Sequence, residues 1–305
     1  MLETFIEAQQ RMLDRSGVQA ESRFVDAPVV NGRAHVLVSG SGPPVVMING
    51  IGTPAAMWAP LMPLISGHTL YAVDQPAYGL TNTTEQLTDD LRSTAVLFLE
   101  QVIDQLELER PVFIGNSLGS LWTTWMAIDR PGRVAALVHV GCPALFLDTS
   151  APLPMRMLSV PALARVMMRL QPPSPKQVEQ LSRMVRQHPL TPELAALLLE
   201  TERLPGFEHT FLATLHTLLT LRGARPEMAL TAEQLARVDQ PVQLIWGDDD
   251  PMGSPAVGER ARHIMAEADL HVVSGGHTPW LTDTERIGKL VASFLNKHDQ
   301  RRVEG

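Results

Sequence analysis

Apolar residues along the chain follow two rhythms. Val45-Val46-Met47-Ile48, residues 111–114, residues 134–140 and Val242-Gln243-Leu244-Ile245-Trp246 are near-continuous apolar runs, the character of strands covered on both faces. Between them, apolar positions recur at helical spacing and predict helices over residues 57–66, 87–108, 118–129, 255–267 and 283–296. Two short strands are expected at 70–73 and 270–273. Strands that alternate with helices in this way predict an α/β chain built on a doubly wound, mostly parallel sheet.

The rhythm differs at the ends and in the middle. Leu2, Phe5, Ile6, Met12 and Leu13 share one helical face, so residues 2–15 predict an amphipathic helix docked on the body of the chain or, as the less favoured alternative, on a second subunit. Residues 21–25 and 33–38 alternate polar and apolar, with Asn31-Gly32 between them as a hairpin turn, which predicts two antiparallel edge strands. Over 144–230 the alternation stops. Prolines cluster there (Pro152, Pro154, Pro161, Pro172, Pro173, Pro175), helical stretches are expected at 178–186, 192–203 and 208–222, and no strand is expected. Residues 1–143 and 231–305 therefore form a core and 144–230 a helical insertion, while 297–305 read as a solvated tail.

Composition narrows the function classes. With 305 residues, 45% of them hydrophobic and 19% charged, the chain is globular and long enough to bury a large core. A net charge of −8 gives no reason to expect nucleic acid or an anionic membrane as partner. The first residues carry acids where a secretory leader carries bases, and no run approaches the roughly 18 apolar residues a membrane helix needs. The single cysteine, Cys142, forms no internal disulfide, so a cytoplasmic protein without membrane insertion is expected. Nothing in the sequence signals an oligomeric state.

The chemistry concentrates where apolar runs end. Residues 115–119, Gly115-Asn116-Ser117-Leu118-Gly119, place a serine between glycines at plus and minus two, between a strand and a helix. Side chains at those positions would crowd a serine held on a strained turn, and the following helix directs its amides at any negative charge that develops there. The alternative is that Ser117 merely caps that helix. In an open parallel sheet ligands bind beyond the carboxyl ends of the strands. Asn49-Gly50-Ile51-Gly52, Asp74, Ser117, Gly247-Asp248-Asp249-Asp250 and Gly275-Gly276-His277 all follow apolar runs, so a serine, a carboxylate and a histidine share one edge in that chain order.

The Gly-x-Ser-x-Gly turn, the Gly247-x-x-Asp250 segment and Gly276-His277-Thr278-Pro279 together resemble the α/β-hydrolase superfamily, with the insertion in the place of a helical cap. The resemblance implies Ser117 as nucleophile, His277 as general base and Asp250 as the orienting acid, with Asp249 second and Asp148 third. It implies backbone amides of Ile51 and Leu118 as oxyanion donors, no metal and no cofactor. Three positions depart from common relatives: Asn49 before Gly50, Ser120 after Gly119, and Ala77 within Asp74-Gln-Pro-Ala-Tyr-Gly79.

A serine nucleophile excludes the dehalogenase and epoxide hydrolase chemistries that use an aspartate there. The expected partner is a small-molecule acyl substrate, a small or medium apolar ester. The alternatives are a carbon-carbon hydrolase of ring-fission products, suggested by Gly115-Asn116-Ser117, or a binding receptor on the same fold; such hydrolases usually carry Trp directly after the His, where this chain has Thr278 with Trp280 two further on. Asn49, Trp58, Asn116, Phe146, Phe207 and Phe211 are expected near the pocket, with Met155, Met157, Met167, Met168 and Met184 as adaptable lining or helix-packing core.

Overall fold

A computed structural model describes residues 1–83, 90–187 and 189–304. Helix α1 (Leu2–Arg15) leads into strands β1 (Glu21–Ala27), β2 (Gly32–Gly40), β3 (Pro44–Ile48) and β4 (Thr69–Val73). Then come α2 (Leu91–Gln105), β5 (Val112–Gly115), α3 (Leu118–Asp129) and β6 (Ala136–Val140). The insertion follows as α4 (Leu153–Leu158), α5 (Pro161–Leu170), α6 (Pro175–Met184), α7 (Pro192–Glu202), α8 (Phe207–Leu218) and a ribbon of β7 (Leu219–Thr220) with β8 (Gly223–Ala224). The chain then completes α9 (Ala232–Leu235), β9 (Val242–Gly247), α10 (Pro255–Ile264), β10 (Ala268–Val273) and α11 (Thr284–Glu304).

Eight strands form one sheet in the order β1-β2-β4-β3-β5-β6-β9-β10. β2 runs antiparallel to both β1 and β4, and every other pairing is parallel. This is the α/β-hydrolase fold. The two-residue period of a strand divides each apolar run between two cores. Val46, Ile48, Phe113, Leu137 and Leu244 pack with α2 and α3, whereas Val45, Met47, Ile114, Val138 and Ile245 pack with residues of α1 and α11. Because β3, β5, β6, β9 and β10 are parallel and in register, with Ile48 beside Gly115, Val140 beside Ile245 and Gly247 beside Val273, their following loops meet at one edge.

Several expectations change, each for a local reason. Residues 57–66 form two single 3-10 turns, Ala55–Trp58 and Met62–Leu64, because Pro60 and Pro63 remove amide donors from any longer helix. The β1–β2 connection is not a two-residue hairpin but a 3-10 turn at Pro28–Val30 closed by Asn31 at φ 47. In the insertion, α4 and α5 form in the proline-rich stretch ahead of the helices expected from 178 on, since Pro154 and Pro161 sit in first helical turns, as Pro175 does in α6, where a missing amide costs nothing. The helix expected to reach 222 stops at Leu218 and gives way to the ribbon, so the insertion does contain strand.

Residues 297–304 continue α11 instead of trailing as a tail, with Asp299 bonded to His68 at 3.0 Å and Arg301 to Glu267 at 3.1 Å. The expected start of α2 at 87–89 lies outside the described residues; the described helix begins after Asp90, whose side chain accepts the Ser93 amide. α1 docks on its own chain, where Phe5 is fully buried and Arg15 and Thr4 reach Glu193 and Glu200 of α7. Among the described residues no helix is long and apolar enough to cross a membrane.

Candidate active site

Ser117 occupies the turn between β5 and α3 with φ 52 and ψ −114, a conformation that strains any residue but glycine. Its flanking glycines are required sterically. A Cβ on Gly119 would lie 2.1 Å from the Ile48 carbonyl oxygen, and one on Gly115 would lie 2.7 Å from Ser120 Cα. Although Ser117 stands at the N-cap position, its side chain makes no capping hydrogen bond, so the hydroxyl is not committed to the helix.

The second group comes from the loops after β9 and β10. Asp250 is buried, and both of its oxygens lie 3.0 Å from His277 Nδ1. Oδ2 also accepts the Cys142 amide at 2.8 Å and Oδ1 the Met252 amide at 2.9 Å. Burial alone would raise the Asp250 pKa, but the His277 charge and these hydrogen bonds outweigh it and hold the carboxyl below its ordinary value. Asp249 is exposed to solvent and, among the described residues, pairs with Arg186 at 3.5 Å, and Asp148 pairs at the surface with Arg260.

The backbone of His277 is held as firmly as its ring. Its carbonyl accepts Asn116 Nδ2 at 3.0 Å, which ties it to the residue before Ser117, and its amide donates to Val185 O at 3.0 Å in the insertion. On the ring, Nε2 is buried and has no hydrogen-bond partner among the described residues. An ionised carboxylate only accepts, so the neutral imidazole carries its proton on Nδ1 and leaves a lone pair on Nε2.

The loop after β3 supplies the remaining elements. Asn49 Nδ2 bonds Pro54 O at 2.6 Å, so asparagine ties this loop across its own turn. A Cβ on Gly50 would lie 3.2 Å from Ser117 Cβ, which brings the loop against the elbow. Neither the Ile51 nor the Leu118 amide takes part in a hydrogen bond among the described residues. The Phe211 and Phe207 rings stack over Gly52, within 3.2 and 3.4 Å of where its Cβ would be.

A cavity of about 40 Å³ borders Ser117, Ile51 and Leu118, with Leu145, Met155, Leu215, Leu218 and Met252 among its walls. The lining is mostly apolar, with the hydroxyls of Ser117, Thr149 and Ser150 as its polar side chains and no charged side chain among the described residues. Of the methionines in the insertion considered as lining, Met155 alone borders this cavity.

Two expected pocket residues are core instead. Trp58 is fully buried and stacks on Trp280 at 4.4 Å, and Phe146 is fully buried with its ring against His139. Asn49 and Asn116 are buried supports that bond backbone carbonyls, not pocket surface. The residues missed from sequence act through backbone atoms: the Cys142 and Met252 amides on Asp250, and the Val185 carbonyl on His277. Backbone contacts tolerate any side chain and leave no signature in sequence.

The chain is similar to known proteins over most of its length. A curated relative from Pseudomonas sp., 2-hydroxy-6-oxononadienedioate/2-hydroxy-6-oxononatrienedioate hydrolase, is 28% identical over 290 residues, covering 90% of this chain and 96% of its own. Among solved structures, carboxylesterase CesB from Bacillus subtilis superposes with a TM-score of 0.76 at 21% identity, covering 95% of this chain and 96% of that one. The 2-hydroxy-6-oxo-6-phenylhexa-2,4-dienoate hydrolase from Rhodococcus sp. strain RHA1 superposes with a TM-score of 0.73 at 19% identity, covering 93% and 99%. The family profile described as alpha/beta hydrolase fold matches residues 43–284, spanning the Ser117 elbow and the loops that carry Asp250 and His277, and the chain belongs to that family.

Proposed function

We propose that this chain is a serine hydrolase that cleaves a carboxylic ester, or a related acyl bond, of a small to medium apolar substrate through an acyl-enzyme on Ser117. The carrying observation is the His277 ring: a buried carboxylate fixes Nδ1, Asn116 ties the His277 carbonyl to the serine turn, and the buried Nε2 has no hydrogen-bond partner among the described residues, Ser117 Oγ included, so its lone pair is uncommitted. That is the arrangement a general base needs.

In this reading Ser117 Oγ attacks the acyl carbon as its proton passes to His277 Nε2. The Ile51 and Leu118 amides hold the resulting oxyanion; each such donor contributes roughly 3 to 4 kcal/mol to the transition state. His277 then returns the proton to the leaving alcohol, and water drawn in beside the same nitrogen releases the acyl group. Asp250 stabilises the imidazolium at each stage. A cavity of about 40 Å³ is far below the ~300 Å³ of a typical ligand site, so the insertion acts as a cap whose α8 moves aside to admit substrate.

A second reading, hydrolysis of a carbon-carbon bond, draws on the activity in the names of the dienedioate and dienoate relatives. Such substrates carry carboxylates, and a carboxylate buried without a partner costs several kcal/mol. The mostly apolar lining, with hydroxyls but no basic side chain among the described residues, favours the neutral ester. Turnover of p-nitrophenyl esters of graded chain length, measured beside a vinylogous 1,5-diketo dienoate, separates the two. Ester cleavage that depends on Ser117 is the expected result; cleavage of the dienoate alone would move the assignment to the second reading, and cleavage of neither would leave a binding receptor.

A further inference from the structure

A second serine, histidine and carboxylate stand in series at the antiparallel end of the sheet. His35 on β2 is fully buried, with Nδ1 2.7 Å from Asp74 Oδ2 and Nε2 2.6 Å from Ser22 Oγ on β1. Asp74 is equally buried, and its oxygens also accept the Ala55 amide at 2.6 Å and the Leu80 amide at 2.8 Å. A carboxylate so engaged only accepts, so the neutral imidazole keeps its proton on Nδ1 and receives the Ser22 hydroxyl hydrogen at Nε2.

The strand register builds this contact. Phe24 pairs with His35 and Ser22 with Leu37, so Ser22 reaches the imidazole along the diagonal of one sheet face. The Phe24 ring lies 5.1 Å from the imidazole, and the His35 amide donates to Thr81 Oγ1 at 2.8 Å. Base and acid are thus shielded and fixed in orientation, while Ser22 itself is exposed to solvent.

We propose that Ser22 is a second acylation site, open to activated acyl and phosphonyl donors. Ser22 Oγ bonds to the acyl carbon or phosphorus, its proton passes to His35 Nε2, and the leaving group departs with the electron pair of the broken bond. Asp74 stabilises the imidazolium, which returns its proton to solvent. Ser22 lies within an edge strand, not at the start of a helix, so the amide donors available at the Ser117 elbow are missing. Each missing donor slows such a step by about 10²- to 10³-fold. Modification at Ser22 is therefore slower than at Ser117, and the adduct persists because its release lacks the same help.

The test uses the full-length Ser117→Ala variant, shown to be folded by circular dichroism, treated with a fluorophosphonate and mapped by tryptic mass spectrometry. The expected result is one adduct at Ser22, formed at least tenfold faster than on the exposed Ser66 and Ser254, absent from Ser117→Ala/Ser22→Ala and slowed at least tenfold in Ser117→Ala/His35→Gln. No Ser22 adduct on the folded variant, or labelling no faster than at Ser66 and Ser254, would overturn the proposal. Labelling of Ser117 in the native chain is read separately, so either serine can fail without the other.

Discussion

Replacing Asp250 by Asn tests the assignment of the acid most sharply, because Asp249 beside it serves as an internal control. In the native site both Asp250 oxygens face donors: the Cys142 amide, the Met252 amide and His277 Nδ1. An amide supplies one oxygen and one NH₂, so one of those donors must confront another donor. The imidazole can relieve this by moving its proton to Nε2, which removes the lone pair that would accept the Ser117 proton. The same substitution in a serine triad lowers kcat by about 10⁴, or about 5 kcal/mol of transition-state stabilisation at 1.36 kcal/mol per factor of ten. Asp249 is 72% exposed and makes one 3.5 Å pair with Arg186, so Asp249→Asn changes activity by about twofold or less. Steady-state hydrolysis of a p-nitrophenyl ester by the two variants, each checked for folding, gives the comparison. Equal losses, or a mild effect at Asp250, would mean that Asp250 is not the orienting acid.

Other consequences are measurable. The lowered pKa of Asp250 gives stability that is fully present above its ordinary value of 3.8 and is lost as pH falls through the lower folded-state value, so urea midpoints of the native chain and Asp250→Asn should converge in that acid window. Burial raises Glu202, at the end of α7, to about 7 against opposing contributions from Gln177 and Arg203. Its protonated form is favoured in the fold, so the native chain loses up to about 3 kcal/mol between pH 4.5 and 8 relative to Glu202→Gln, read from denaturation midpoints. Gly119→Ala places a methyl 2.1 Å from Ile48 O and should abolish activity through a displaced elbow, detectable as lost fluorophosphonate labelling in folded protein. Leu218→Ala enlarges the small cavity beside Ser117 and should shift ester preference toward longer acyl chains, at about 2 to 5 kcal/mol of stability.

The parallel sheet and the edge carrying Ser117, Asp250 and His277 were legible in sequence because buried strands are apolar throughout and the turns after them need glycine. Gly115 and Gly119 are forced by clashes with backbone, the kind of constraint a short motif records. The insertion was less legible, since prolines that open helices look the same in sequence as prolines that break them. Pro161 and Pro175 open α5 and α6, whereas Pro60 and Pro63 prevent a helix. Aromatic residues misled for a related reason. Trp58 and Phe146 follow strand ends as pocket walls would, yet each faces a core, and sequence alone does not show which way a loop side chain turns. The Ser22, His35 and Asp74 series was not legible, because it depends on a diagonal contact across two strands and a third residue brought in by β4.

In the proposed mechanism His277 makes the Ser117 hydroxyl nucleophilic. Rapid-quench mass spectrometry of the native chain with a p-nitrophenyl ester tests it directly. A burst of about one p-nitrophenolate per chain is expected, with the acyl group mapped to Ser117, and both burst and adduct should be lost in His277→Ala. Folded native protein that turns over the ester with no acyl group on Ser117, or a burst unchanged in His277→Ala, would contradict it.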